Sequence, residues 1–241
     1  MKIGRPRAFD LNTALQQALL VFWRQGYEGT SIADLTEAMG INPPSLYAAF
    51  GSKEGLFRRA LESYMDQRQA FLQQAYDQPT ARDVAMHLLR GTADIQTDPA
   101  HPRGCLLIQG ALSCGDTAEA IRQELMHRRD QEEIALCQRF ERALREGDLD
   151  RHQDPASLAR YITTILQGMA VKAASGASRH ELQEIVDLAL MAFPPPPTEQ
   201  QGGRRQKATG KTRPKRMTTA TASQSRALQP AATASVKTRR R

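Results

Sequence analysis

The sequence is short of cysteine and aromatic side chains and has no long apolar run, and each shortage closes off a class of protein. Cys105, Cys114 and Cys137 are the three cysteines among 241 residues. They form no CxxC pair and no even set, so neither a disulfide framework nor a zinc ribbon is expected. An odd thiol count suits a reducing cytoplasm. Aromatic residues make up 5% of the chain, too few for a nucleic-acid reader built on stacked bases. No stretch approaches the ~18 apolar residues of a membrane span. MKIGRPRAFD is basic, but no apolar segment follows it as in a signal peptide. A soluble, cytoplasmic protein with no membrane partner is expected.

Catalytic patterns are also missing. There is no GxSxG, no P-loop and no HExxH, and His87, His101, His127, His152 and His180 are scattered. No enzyme activity, metal or cofactor is expected.

Charge is unevenly spread. Residues 194–241 carry twelve Lys or Arg against the single acid Glu199, while residues 61–193 carry fourteen basic and twenty acidic side chains. The first sixty residues carry seven basic and five acidic. The mildly acidic middle is a poor surface for nucleic acid, and the basic character belongs to the ends. After Phe193, Pro, Ala, Thr, Ser, Gly and Gln join the cations and large apolar residues nearly vanish. Such a segment buries too little to offset its ordering entropy, so 194–241 reads as a disordered basic tail.

Helical spacing dominates elsewhere, and about nine helices are expected. The first covers 10–25 and is broken by Gly26. The second starts at Thr30 or Ser31 and ends at Gly40. The third follows the cap Asn42, with Pro43 and Pro44 in its first turn, where missing N–H groups cost nothing, and ends near Phe50. Ser52 caps a fourth helix to about residue 76, and Thr80 with Asp83 opens a fifth that ends before Pro99. The sixth covers about 104–114. Asp116 with Glu119 suggests a capping box for the seventh, which Gly147 stops. Asp154–Pro155 opens the eighth. Ser178 with Glu181 opens the ninth, ended by the proline run after Phe193.

Within TSIADLTEAMGINPPSLYAAF, residues 30–50, Ile32, Leu35 and Met39 stripe one helix and Leu46 and Phe50 the next. Gly40 sits where a tight turn needs a positive φ. On spacing alone this is a helix-turn-helix or another αα-corner. The longer run GRPRAFD…VFWRQGYEGTSIADLTEAMGINPPSLYAAFGSKEGLF resembles the N-terminal region of the TetR family of bacterial transcription regulators over about residues 4–64.

The resemblance implies an all-α fold. Residues 1–52 would be a helix-turn-helix DNA-binding domain with a basic arm, 53–193 an α-helical ligand-binding and dimerisation domain, and 194–241 the tail. It implies a transcriptional regulator, most often a homodimeric repressor that a small-molecule or electrophile signal releases from a palindromic operator. The third helix would read the major groove through Asn42, Pro43, Ser45, Ala48 and Ala49. Tyr47 and Lys53 would meet phosphate, as would Thr30 and Ser31 at a helix N-terminus. Arg5 and Arg7 are either minor-groove arms or a solvated terminus.

The partners implied are double-stranded operator DNA, a second copy docked through the last two helices, and an inducer. Tyr64, Met65, Arg68, Met86, Leu89, Gln109, Tyr161 and Met169 are the ligand candidates, residues of types that more often simply pack a core or a helix. HPRGCLLIQGAL is similar to a subgroup whose cysteine senses electrophiles or oxidants. Cys105 matches it, and a helix start, Arg103 or His101 would lower its pKa; the alternative is a small packing residue. Cys114, nine residues on, falls on the opposite helix face. An alternative to the regulator is an architectural, nucleoid-type protein acting mainly through its tail.

Overall fold

The computed structural model describes residues 10–112 and 118–195, with side chains up to Gly110 and from Ala118. Among the described residues there are nine helices and no strands: α1 (Leu11–Gly29), α2 (Ile32–Met39), α3 (Pro43–Phe50), α4 (Lys53–Tyr76), α5 (Ala81–Thr97), α6 (Leu106–Leu112), α7 (Glu119–Glu146), α8 (Pro155–Ala174) and α9 (Arg179–Ala192). The all-α reading and the helix order hold. No described helix is long and apolar enough to cross a membrane. Arg5, Arg7, Cys114, Asp116 and the tail from residue 196 lie outside the described residues.

Helix starts follow side-chain chemistry. Ser31, Asn42, Ser52, Thr80, Asp154 and Ser178 each accept a backbone N–H at the head of a helix. Ser31 with Asp34 and Ser178 with Glu181 close full capping boxes. Each such cap is worth about 1 kcal/mol, because it satisfies an N–H that the helix cannot. Gly26 does break the first helix, at φ 72°, and the chain resumes helical geometry for one more turn before Thr30. Gly40 (φ 65°) and Gly147 (φ 81°) adopt the left-handed conformation that ends α2 and α7.

Two cores hold the helices. The first joins α1, α2 and α3 to the front of α4 and to α6, around the fully buried Phe22, Leu35, Leu46, Leu56, Phe57 and Leu106. Phe22 meets Phe57 edge-on at 5.0 Å, and Trp23 meets Tyr64 edge-on at 4.9 Å. Burying each large side chain contributes about 1.5–3 kcal/mol. The second core joins α5, α7, α8 and α9 to the back of α4, around Leu89, Phe140, Ile162, Leu182 and Phe193. Helix α4 belongs to both, so a shift of α4 is felt at α3 and in the second core alike.

Candidate functional site

Helix α3 is eight residues long and is held from beneath. Leu46 is 0% and Phe50 8% exposed, against Leu35 and Met39 of α2. Its outer surface is left to Asn42, Pro43, Pro44, Tyr47 and Ala48, all exposed. Pro44 belongs with Ala48 at i, i+4 spacing, a neighbour that the sequence reading left out. Ser45 is half-buried, and Ala49 turns partly inward against the first core.

The start of α3 offers few backbone donors. Pro43 and Pro44 have no N–H, and the Ser45 N–H donates to Asn42 Oδ1 at 2.9 Å. Asn42 therefore has its amide nitrogen and one remaining lone pair of its oxygen to offer a base edge.

The four expected phosphate contacts differ in availability. Tyr47 is 48% exposed, with its phenol on the outer face. Lys53 is half-buried, its Nζ 4.5 Å from the Tyr27 ring centroid. Burial lowers its pKa, against the opposing pull of Glu28 and Asp34. Thr30 is buried at 1%, and its hydroxyl donates to the Gly26 carbonyl at 2.6 Å. This is a local bond to the carbonyl four residues back, so the hydroxyl is spent inside the fold.

Ser31 is exposed, but its N–H and hydroxyl both donate to Asp34, at 2.8 and 2.7 Å. Those bonds, the Ser31 hydroxyl first, hold the Asp34 carboxyl below its ordinary range. The resulting negative charge at the head of α2 opposes phosphate there. Over residues 10–60 the cations are Arg24, Lys53, Arg58 and Arg59, facing five acids. Arg58 is taken up by Glu54 and Glu124, at 2.6 and 2.9 Å.

Deeper in the molecule a cavity of about 50 Å³ opens among α4, α5, α6, α7 and α8. Arg68, Gln96, Cys105, Arg129, Glu132 and Thr163 provide its polar wall; Leu107, Ile108 and Leu166 line it with apolar surface. Arg68 forks onto Glu132, with N–O distances of 3.0 and 3.5 Å. Burial alone would pull its pKa down; the Tyr64 and Glu132 oxygens more than offset this, and the guanidinium stays charged. The Tyr64 hydroxyl donates to Cys105 Sγ at 3.3 Å, and burial pushes this phenol well above its usual range.

Of the expected ligand residues, Arg68 lines this cavity and the others do different work. Tyr64 backs Cys105 and Trp23. Met65 lines an open groove between α4 and α7, and Met86 a shallow surface hollow with Asp83 and Arg90. Leu89 and Met169 are core, at 0% and 1% exposure. Gln109 donates to the Arg103 carbonyl, and Tyr161 donates to the Ala189 carbonyl at 3.1 Å, tying α8 to α9.

Cys105 lies immediately ahead of α6, which starts two residues later than expected, and it is 7% exposed. The cations expected beside it point elsewhere: Arg103 donates to the Ala177 carbonyl at 2.6 Å, and His101 stacks on Trp23 at 4.9 Å. Its neighbour in the cavity wall is Arg68. Gln96, Arg129, Glu132 and Thr163 were missed. One signal was available: Gln96 follows Leu89 and Ala93 at i+7 and i+3, a polar residue on an apolar stripe.

A helix pair crossed by a third helix, with a short outward-facing second helix, is the architecture of helix-turn-helix DNA-binding proteins. The comparisons agree. The family model for bacterial regulatory proteins of the tetR family matches residues 14–60. The model described as tetracyclin repressor-like, C-terminal domain, matches residues 86–188.

The chain is 34% identical over 193 residues to the HTH-type transcriptional repressor ComR of Escherichia coli (strain K12), covering 79% of this chain and 92% of ComR. It is 30% identical over 192 residues to the repressor BdcR of the same strain, covering 78% and 90%. Among solved structures it is 46% identical, with a TM-score of 0.76, to a cysteine mutant of the TetR family transcriptional regulator CifR complexed with 26-bp double-strand operator DNA; 79% of this chain and all of that one are covered. The chain belongs to the TetR family of bacterial transcription regulators.

Proposed function

We propose that this regulator is a cytoplasmic homodimeric repressor that binds a palindromic operator through α3 and leaves it when a small molecule enters the core cavity. The observation that carries the reading is the outer face of α3, where Asn42, Pro43, Tyr47 and Ala48 are exposed on a helix pinned by the buried Leu46 and Phe50. Phosphate is met by Tyr47 and Lys53, assisted by the arm bearing Arg5 and Arg7. Bases are met by Asn42 and Ser45, and thymine methyl groups by Pro43, Ala48 and Ala49. The cysteine mutant of CifR bound to operator DNA, at 46% identity, and the repressors ComR and BdcR support this.

Dimerisation through α8 and α9 is supported by apolar side chains that the fold leaves in water: Leu188 is 67%, Met191 80% and Val171 44% exposed. The division into 1–52, 53–193 and a 194–241 tail assigns reading, sensing and non-specific DNA affinity in that order. Cys105 forms part of the cavity wall, and an electrophile small enough to enter would reach its thiol there.

A second reading, an architectural protein, draws on the twelve cations of the tail. Selection of binding sites from genomic DNA by the full chain and by a chain ending at Phe193 separates the two. One palindrome enriched by both supports the repressor; loss of all binding on truncation supports the architectural protein.

A further inference from the structure

The cavity wall leaves four fully buried polar atoms without a hydrogen bond among the described residues: Arg68 Nη1 and Glu132 Oε1, which face each other as an ion pair at 3.0 Å, and Gln96 Oε1 and Arg129 Nε, which have no partner of either kind. Gln96 as a whole is 5% exposed. A buried acceptor and a buried donor left open together are costly, and such pairs normally hold water or a ligand. They ask for complementary groups: a hydroxyl or N–H to donate to Gln96, and an acceptor for Arg129.

Charge narrows the choice. Arg68 is matched by Glu132, and Glu133 is engaged with Thr163 and Arg160 at 2.8 and 3.8 Å. Arg129 has no carboxylate partner among the described residues. One cation is therefore in excess at the wall, and the acceptor that suits it is an anion. Size narrows it further: about 50 Å³ is room for roughly four water-sized groups. The apolar wall of Leu107, Ile108 and Leu166 suits a short carbon skeleton between the two polar ends.

We infer that this cavity takes a short-chain hydroxycarboxylate, its carboxylate on Arg129 and its hydroxyl donating to Gln96 Oε1. The inference rests on the reading of the chain as a ligand-released repressor and names the chemistry of the signal. It also gives that signal a route: Arg68 of α4 and Glu132 and Arg129 of α7 share the wall, and α4 runs directly from the cavity to the end of α3. A carboxylate seated on Arg129 competes with Glu132 for Arg68 on the same wall, and so shifts α4.

The test uses the full-length chain with three two-carbon probes: glycolate, acetate, which lacks the hydroxyl, and ethylene glycol, which lacks the charge. Thermal shift and titration calorimetry give the affinities, and fluorescence anisotropy with a selected operator gives the release. Glycolate is expected to bind at least tenfold more tightly than either control and to weaken operator binding. In Gln96→Met the preference for glycolate over acetate disappears while acetate affinity is retained. In Arg129→Met both acids lose tenfold or more.

Equal affinity for all three probes in the wild-type chain, or none, with operator binding intact, overturns the ligand class and leaves the repressor reading standing. Because that comparison uses the wild-type chain, it stands even where a variant fails to fold. Glycolate binding by a chain that enriches no operator supports the ligand class and overturns the repressor reading.

Discussion

Leu46 and Tyr47 are adjacent in sequence and opposite in environment, so two substitutions one residue apart are predicted to separate folding from DNA binding. Leu46 is 0% exposed in the first core, and Leu46→Ala removes a buried side chain where packed neighbours collapse only partly. The expected loss is about 2–5 kcal/mol of stability. Tyr47 is 48% exposed, and Tyr47→Phe removes one oxygen from the surface, so its effect on stability is within about 0.5 kcal/mol. If that phenol bonds a phosphate, the lost charge-assisted hydrogen bond is worth about 1.5–3 kcal/mol, or roughly tenfold to a hundredfold in affinity at each half-site.

The salt dependence adds an independent check. Tyrosine is neutral, so Tyr47→Phe leaves the slope of log affinity against log salt unchanged, whereas Lys53→Met lowers it by about 0.9 per protomer. Urea denaturation gives the two stabilities, and operator anisotropy at several salt concentrations gives the affinity and both salt slopes. A Tyr47→Phe variant that binds operator as the parent does, or that unfolds as early as Leu46→Ala, would refute the placement of α3.

Thr30→Val is predicted to cost about 1–3 kcal/mol in urea, because the Gly26 carbonyl loses its buried donor, and to leave operator affinity per folded molecule unchanged. Arg139, 5% exposed, donates to the carbonyls of Tyr76, Gln78 and Pro79 between α4 and α5. Arg139→Met should cost about 3 kcal/mol, read as a lower urea midpoint. Asp34 and Asp154, bonded first by the Ser31 and Ser157 hydroxyls, and Glu181, bonded first by the Ser178 backbone, all have lowered pKa values. A lowered folded pKa stabilises fully above the unfolded value, so these caps contribute in full above about pH 5 and are lost as pH falls below about 4. Thermal midpoints across that window should fall less steeply for Ser178→Ala, which removes the hydroxyl partner of Glu181.

The helix ladder was legible because its punctuation is local. Asn42 followed by two prolines, Gly40 after Met39, and Ser178 three residues before Glu181 each fix a boundary from a few neighbours, and the structure uses all of them. The expected phosphate contacts were legible only as residue types. Thr30 and Ser31 are adjacent hydroxyls, yet one is buried on the Gly26 carbonyl while Asp34 captures the other.

The cavity was mostly illegible. Gln96, Cys105, Glu132 and Thr163 come from four separate segments, and helix packing alone brings them to one wall. Tyr161 looked like a pocket residue for the opposite reason: an aromatic ring with a polar tip suits a ligand, but here the tip meets the Ala189 carbonyl of the next helix.

The measurement that tests the central claim most directly is footprinting of the full chain and of Tyr47→Phe on a site selected from genomic DNA. The account predicts protection of two inverted half-sites about one helical turn, roughly 34 Å, apart, with both protections weakened together in the variant. Protection with no consensus sequence, or a footprint that Tyr47→Phe leaves unchanged and truncation after Phe193 abolishes, would contradict it.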